Sequence, residues 1–355
     1  MPKDRLTLRP VGLEGMAGAP DGAPALAGGW LRLTALEACH WNGEEHLDRS
    51  VLSEGQVADW AAGHGKGPAA EALMAALLRP RTDFAGLSLD RPRIMGIINV
   101  TPDSFSDGGD RFETARAIAD GLAMREAGAD ILDVGGESTR PGAEPISEQE
   151  EMDRVLPVIE GLVKEGLLVS IDSRHAAVMG AALDQGAAIV NDVTALTGDP
   201  AALPLVSARQ VPVILMHMQG EPRTMQANPT YDDAARDIFD FLDGRLHACE
   251  EAGLSRDLIA VDPGIGFGKT LDHNLRILEQ MALFHGLGCA VMLGASRKAF
   301  IGRLSGAEAP KDRLAGSLAV ALAGIARGAQ LLRVHDVVET RQALRVWQAI
   351  AAARL

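Results

Sequence analysis

Arg93-Ile94-Met95-Gly96-Ile97-Ile98-Asn99-Val100 decides the fold. It is an apolar, β-branched run of the length of one buried strand, and Thr101-Pro102-Asp103 behind it continues neither strand nor helix. Residues 113–127 then carry apolar side chains at helical spacing. A strand buried on both faces followed by a helix is one unit of a parallel sheet. Working outward, the unit recurs. Further runs occupy residues 130–136, 167–173, 189–194, 212–218, 259–264, 290–296 and 331–336, with helical patterns at 147–164, 232–252, 312–327 and 339–353. Eight strand-helix pairs in roughly 260 residues match the size of a (β/α)8 TIM barrel, about 250. The expected fold class is therefore α/β, a (β/α)8 TIM barrel over residues 91–355. An N-terminal extension of about 90 residues, 1–90, precedes it.

Nearly every run starts apolar and ends polar: Asn99, Asp133, Asp172, Asn191, His217, Asp262, Ser296, then Arg333, His335 and Asp336. Any one of these is as readily a strand cap or turn residue. Repeated over eight strands, they form the rim from which barrel enzymes build their sites.

Composition narrows the classes. With 34 basic against 48 acidic residues the net charge is −14, and no basic run offsets it, so a nucleic-acid partner is not expected. Cys39, Cys249 and Cys289 lack C-x-x-C spacing, which argues against a disulfide framework or a cysteine zinc site. The longest apolar stretch, residues 318–326, is too short to span a bilayer. The first residues lack an apolar segment behind a basic start, so the chain reads as cytoplasmic. Residues 1–90 differ in character, holding Trp30, Trp41 and Trp60 of the four tryptophans among Gly, Ala and Pro clusters. They read as a small β-containing cap with a helix near 68–78, or as a decoration at a dimer edge, and a boundary is expected over residues 89–93.

Some motifs fail on inspection. Gly264-Ile265-Gly266-Phe267-Gly268-Lys269-Thr270 has Pro263 where a Walker loop needs glycine and Lys269 where a dinucleotide fingerprint needs one. His217 has no histidine two or four residues away, so a hydrogen-bonded histidine is expected rather than a zinc ligand. Glu148, Glu150 and Glu151 suit a solvated helix start.

Three loops concentrate polar residues at strand ends: 101–109, 137–142 and 296–298. Such loops suit a lid that closes over substrate. Asn99, Thr139, Arg140, Arg333 and His335 make an anion-binding set fit for phosphate or diphosphate. Asp172, Asn191 and Asp262, with Lys298, make a second set whose carboxylates suit the amidine-like edge of a 2-amino-4-oxo heterocycle.

The segment Ile97-Ile98-Asn99-Val100-Thr101-Pro102-Asp103-Ser104-Phe105-Ser106-Asp107-Gly108-Gly109 resembles the signature of the dihydropteroate synthase family. Asp133-Val134-Gly135-Gly136-Glu137-Ser138-Thr139-Arg140-Pro141-Gly142, residues 214–220, Asp262-Pro263-Gly264-Ile265-Gly266-Phe267-Gly268-Lys269, Ser296-Arg297-Lys298 and Arg333-Val334-His335-Asp336 resemble its other blocks, in order. The resemblance covers about residues 93–350. It implies condensation of 6-hydroxymethyl-7,8-dihydropterin diphosphate with p-aminobenzoate, magnesium on the diphosphate, a homodimer built through the later barrel helices, and competition of sulfonamides with p-aminobenzoate. It further implies that Asp172, Asn191, Met216, Asp262 and Lys298 hold the pterin. Asn99, Thr139, Arg140, Arg333 and His335 would hold the diphosphate, Asn99 also the metal. Phe105, Pro141, Phe267, Ser296 and Lys298 would line the aminobenzoate pocket, with Asp172, Lys298, Arg333 and His335 carrying the chemistry. Two departures stand out: Asp172-Ser173-Arg174-His175 replaces the usual Asp-Thr block, and Ile265 stands where an aromatic is common. A corrinoid-dependent methyltransferase on the same barrel is the alternative enzyme, disfavoured by the 99–109 and 296–298 blocks. A non-catalytic pterin-binding paralogue is disfavoured because the charged positions are intact.

Overall fold

The computed structural model describes residues 4–15, 17–42, 45–100, 110–138, 144–221 and 224–353, without the side chains of 110–112. The chain opens with β1 (Asp4–Gly15), β2 (Leu31–Asn42) and β3 (Glu45–Leu52), an antiparallel sheet in that order. Helices α1 (Val57–Gly63) and α2 (Gly67–Leu78) follow. Alternation along the strands sends Leu6, Leu8, Leu33, Leu36 and Ala38 into a core shared with Val57, Ala61, Ala70 and Leu77 of the helices.

The remaining elements alternate. They are β4 (Arg93–Asn99), α3 (Asp110–Ala127), β5 (Ile131–Gly135), α4 (Glu148–Lys164), β6 (Val169–Asp172), α5 (Ala176–Asp184), β7 (Ile189–Asp192), α6 (Ala202–Arg209) and β8 (Val213–Met216). Then come α7 (Ala234–Glu251), β9 (Ile259–Asp262), α8 (Leu271–Glu279), β10 (Ala290–Leu293), α9 (Ala299–Ser305), α10 (Leu314–Ile325), β11 (Leu331–Val334) and α11 (Val337–Ala352). The eight strands β4 to β11 are parallel and close into a barrel, Leu331 of β11 lying opposite Arg93 of β4. All eight expected strands are present. Each ends one to three residues earlier than its expected run. The helix expected at 312–327 begins as a 3-10 turn at Pro310–Arg313, where proline withholds a donor.

Local chemistry sets the helix starts. Ser147 accepts from the Glu150 amide ahead of α4, Asp233 from the Arg236 amide ahead of α7, and Thr270 from the His273 amide ahead of α8. One expectation about α4 is corrected. Glu148 and Glu150 are exposed, but Glu151 is fully buried and its carboxylate meets His175 Nδ1 at 2.9 Å. Burial pushes that carboxyl above its usual value, partly offset by His175.

Inside the barrel, alternation builds two storeys. Met95, Ile131, Ile189, Ile214, Ala260, Met292 and Leu331 form a buried apolar layer, and Phe84 and Leu89 from the segment leading into β4 are buried with them. The next inward residue of each strand lies two positions on, and there the chemistry changes: Ile131 gives way to Asp133, Ile189 to Asn191, Ile214 to Met216, Ala260 to Asp262, Leu331 to Arg333.

The sheet of β1 to β3 docks beside α7 and α8. Arg5 pairs with Asp240, Arg9 with Glu279 at 2.7 Å, and the Arg236 guanidinium lies 4.6 Å from the Trp41 ring centre. Arg81 donates to the carbonyls of Cys289 and His285 at 2.9 and 3.0 Å.

Candidate active site

Above the apolar layer, ion pairs tie four strands together. Arg333 on β11 donates through Nε to Asp133 Oδ2 on β5 at 2.6 Å and through Nη2 to Asp172 Oδ2 on β6 at 2.5 Å. Asn191 Nδ2 on β7 donates to the same Asp133 oxygen at 3.0 Å. The residue placed by sequence in the anion set thus sits between two carboxylates, joined directly to Asp172 and through Asp133 to Asn191 of the second set. Burial opposes the Arg333 charge, yet Asp133 and Asp172 outweigh it and raise its pKa further. Asp172 is pushed up to about 7 by burial, Arg333 offsetting only part, with Asp133 and Glu151 adding repulsion.

Asp262 stands on β9 across the mouth. It is almost fully buried, and its Oδ1 accepts from the Gly264 amide at 2.7 Å. That bond needs a turn at Gly264 with φ of +69°, where a Cβ would lie 2.0 Å from the His217 carbonyl oxygen, so glycine is obligatory there. Burial pushes Asp262 up to about 6 despite the Gly264 amide and Lys298. Lys298, ahead of α9, is pushed down to about 8 by burial, partly countered by Asp262. Its Nζ lies 3.9 Å from the Phe267 ring centre, a cation–π contact that joins two expected pocket residues. Met216 is buried at the end of β8, in register with Asp262.

His335 Nδ1 lies 3.1 Å from Ser296 Oγ, which also accepts the His335 amide at 3.3 Å. Burial, with Arg297 and Arg333 nearby, pushes His335 down to about 3. That shift favours the neutral imidazole at pH 7, so at this position the anion-binding set offers a hydrogen bond rather than a charge. Arg297, with φ of +58°, pairs with Asp336 through its guanidinium, and its amide donates to Ser317 Oγ at 2.9 Å, which fixes the 296–298 loop on the start of α11 and on α10.

Asn99 ends β4, half-buried, in register with Gly135. Thr139, Arg140, Phe105 and Pro141, and with them the 101–109 loop and most of the 138–145 loop, lie outside the described residues. His217 is buried and hydrogen-bonded as expected.

Two residues went unassigned in the sequence. Asp133 is fully buried at the centre of the network, and its signal was a carboxylate two positions after Ile131 in an apolar run. Lys269 is a buried lysine within the 262–269 block, and nothing in the sequence separates it from a surface lysine. Arg174, in the departing 172–175 block, forms a bidentate pair with Glu137 at 2.9 Å, tying the ends of β5 and β6.

A family model described as "Pterin binding enzyme" matches residues 95–335. The dihydropteroate synthase of Escherichia coli (strain K12) is 44% identical over 269 residues, covering 76% of this chain and 95% of that protein. Among solved structures, the Xanthomonas albilineans dihydropteroate synthase with 4-aminobenzoic acid is 49% identical with a TM-score of 0.73, over 77% of this chain and 99% of that one. The same enzyme in complex with 7,8-dihydropteroate is similar at 47% identity and a TM-score of 0.70, over 77% and 100%. With a barrel mouth of this chemistry and identity of this extent, the chain belongs to the pterin-binding enzymes and, within them, to the dihydropteroate synthase family.

Proposed function

We propose that the chain condenses 6-hydroxymethyl-7,8-dihydropterin diphosphate with p-aminobenzoate, giving 7,8-dihydropteroate and diphosphate. The observation that carries the reading is the Asp133–Arg333–Asp172 network facing Asp262 and Lys298 across one barrel mouth, in a chain so similar to a synthase solved with 7,8-dihydropteroate. Asp262 and Asn191 take the polar edge of the pterin, Met216 lies against its plane, and Lys298 completes the site. Arg333, His335 and Asn99, joined by Thr139 and Arg140, take the diphosphate. Phe267, Ser296 and Lys298, with Phe105 and Pro141, line the aminobenzoate pocket.

Substitution is dissociative (SN1-like). Arg333 stabilises the growing negative charge on the leaving diphosphate, and the neutral His335 ring donates to it. Asp172 stabilises the pterin methylene cation left behind, which the aminobenzoate nitrogen attacks. That amine is neutral at pH 7, so a strong base is not required. Closure of the 101–109 and 138–145 loops keeps water from the cation.

Magnesium fits as a passenger of the substrate. Among the described residues no group of three His, Cys, Asp or Glu side chains is placed to hold a metal, and a magnesium carried on phosphates needs only one or two protein oxygens. The Asn99 side chain, half-buried and without a hydrogen-bond partner among the described residues, offers one such hard oxygen. Bound there with the diphosphate, the ion would neutralise leaving-group charge.

Residues 1–90 form an N-terminal extension appended to a catalytic domain at 91–355. The chain works in the cytoplasm, and no helix among the described residues is long and apolar enough to cross a membrane. It forms a homodimer through the later barrel helices, which the exposed Val338, Val346 and Ile350 on α11 support. Sulfonamides compete with p-aminobenzoate. The test of the activity is diphosphate release with dihydropterin diphosphate and magnesium, with and without p-aminobenzoate. Release and dihydropteroate formation that depend on the arylamine are expected; no turnover despite pterin binding would refute the reading.

A further inference from the structure

Lys269 closes the 262–269 block, and its side chain turns back onto the backbone of that loop and of the residues after β8. It is almost fully buried, and its Nζ has three partners: the Phe267 carbonyl at 2.9 Å, His217 Nδ1 at 3.0 Å and the His217 carbonyl at 3.3 Å. An ammonium carries three donors and no acceptor, so three acceptors saturate it. The histidine suits its part: burial first, then the Lys269 charge, pushes His217 down to about 3, which leaves a ring nitrogen free to accept. Burial also lowers the Lys269 pKa well below the usual lysine value, with Asp262 opposing.

These contacts staple two neighbouring loops. His217 leaves β8, and its amide donates to the Asp262 carbonyl at 3.0 Å. Phe267 lies in the loop after β9, where Gly264 and Gly268 approach the carbonyl oxygens of His217 and Gln219 so closely that a Cβ would fall within 2.0 and 2.3 Å. The loop backbone is held from outside as well: Tyr231 OH donates to the Gly268 carbonyl at 2.8 Å and Gln226 to the Gly266 carbonyl at 2.6 Å. Phe267 itself is held at its amide by the Gly264 carbonyl at 3.1 Å and at its carbonyl by Lys269. The Phe267 ring in turn seats Lys298 Nζ.

We infer that Lys269 is a positioning residue for the arylamine pocket: by fixing the Phe267 carbonyl to His217, it sets the ring that faces p-aminobenzoate. The Asp262 carboxylate is held by the Gly264 amide and its strand by the ladder with β8, neither of which passes through Phe267, so the pterin site depends on the staple less than the Phe267 ring does. The inference rests on the synthase reading above.

Lys269→Met removes all three donors at nearly constant volume, and Lys269→Gln keeps a donor for the Phe267 carbonyl. For Lys269→Met, the KM for p-aminobenzoate rises about tenfold, as a displaced positioning group produces, while the KM for dihydropterin diphosphate and kcat stay within about threefold. Lys269→Gln recovers most of the p-aminobenzoate KM. Equal rises in both KM values, a loss confined to kcat, or a glutamine variant no better than the methionine one would overturn the inference. If Lys269→Met does not fold, Lys269→Leu, which also removes the three donors, takes its place: its KM for p-aminobenzoate should rise while that for dihydropterin diphosphate does not, and a parallel rise refutes. Wild-type protein without arylamine-dependent diphosphate release would instead bring down the synthase reading, and the positioning role with it.

Discussion

Asp262→Asn should make the free protein more stable while destroying its pterin site. The carboxyl has an ordinary value of 3.8 and is raised to about 6 in the fold, because burial costs its ionised form more than the Gly264 amide and Lys298 return. A raised carboxyl pKa means the folded chain binds the proton more tightly than the unfolded one. The penalty is therefore absent below 3.8, grows as pH rises, and is complete above about 6. The interval from 3.8 to about 6 corresponds to about 3 kcal/mol at pH 7 and to roughly half of that at pH 5. Asparagine keeps an oxygen for the Gly264 amide and carries no charge, but it leaves Lys298 without its carboxylate. The net gain at pH 7 is therefore about 1–3 kcal/mol. Urea unfolding followed by tryptophan fluorescence at pH 7 and pH 5 reads both values, and titration calorimetry with a pterin reads the site. Binding should vanish, because the asparagine amide presents a donor where a donor-bearing heterocycle needs an acceptor. A variant less stable than wild type at pH 7, or a difference that does not shrink at pH 5, would refute the reasoning.

Arg333→Ala removes the partner of two buried carboxylates and the charge facing the diphosphate. It should weaken the diphosphate-bearing substrate by about 1.5–3 kcal/mol, the value of a charged hydrogen bond, and equal calorimetric affinity for diphosphate would contradict this. The pH profile of kcat/KM should be bell-shaped. The acid limb follows Asp172, which loses its charge as pH falls through about 7, and the alkaline limb follows Lys298, which loses its charge as pH rises through about 8. A flat profile from pH 6 to 9 would disconnect these groups from turnover. Phe84→Ala opens a cavity under the apolar layer and should lower stability by about 3–5 kcal/mol with both KM values unchanged. Calorimetric melting checks the first part, and a variant as stable as wild type would show that Phe84 does not close the barrel.

The barrel was legible because parallel strands buried on both faces leave continuous apolar runs, and because each run ends on the residue that reaches the rim. Asp172, Asn191 and Asp262 were readable for the same reason: a polar side chain where strand alternation points inward is costly anywhere but in a site. Partnership was not readable. Arg333 is an anion ligand by type, and only the closing of β11 against β4 shows that its guanidinium lies between Asp133 and Asp172. Glu151 looked like a solvated helix start, and its burial depends on His175, which arrives from the next strand-helix unit. His335 is an anion ligand by type, and only its depth in the mouth shows that burial favours the neutral ring. The first strands were veiled differently: β1 runs Leu6, Leu8 and Pro10 in alternation, but proline and glycine within it weaken the strand pattern.

The pairing of Leu331 with Arg93 also bears on how the molecule is made. The strand that opens the barrel and the strand that seals it stand at opposite ends of the barrel sequence, so β4 keeps an unpaired edge until β11 has been synthesised. Non-local closure of this kind slows folding and exposes strand edges to aggregation in the meantime. The sheet of β1 to β3, complete long before then and supplied with its own core, lies where it can template the later segments: Arg79 and Arg81 grip Asp257, Gly288 and Cys289 as those residues arrive.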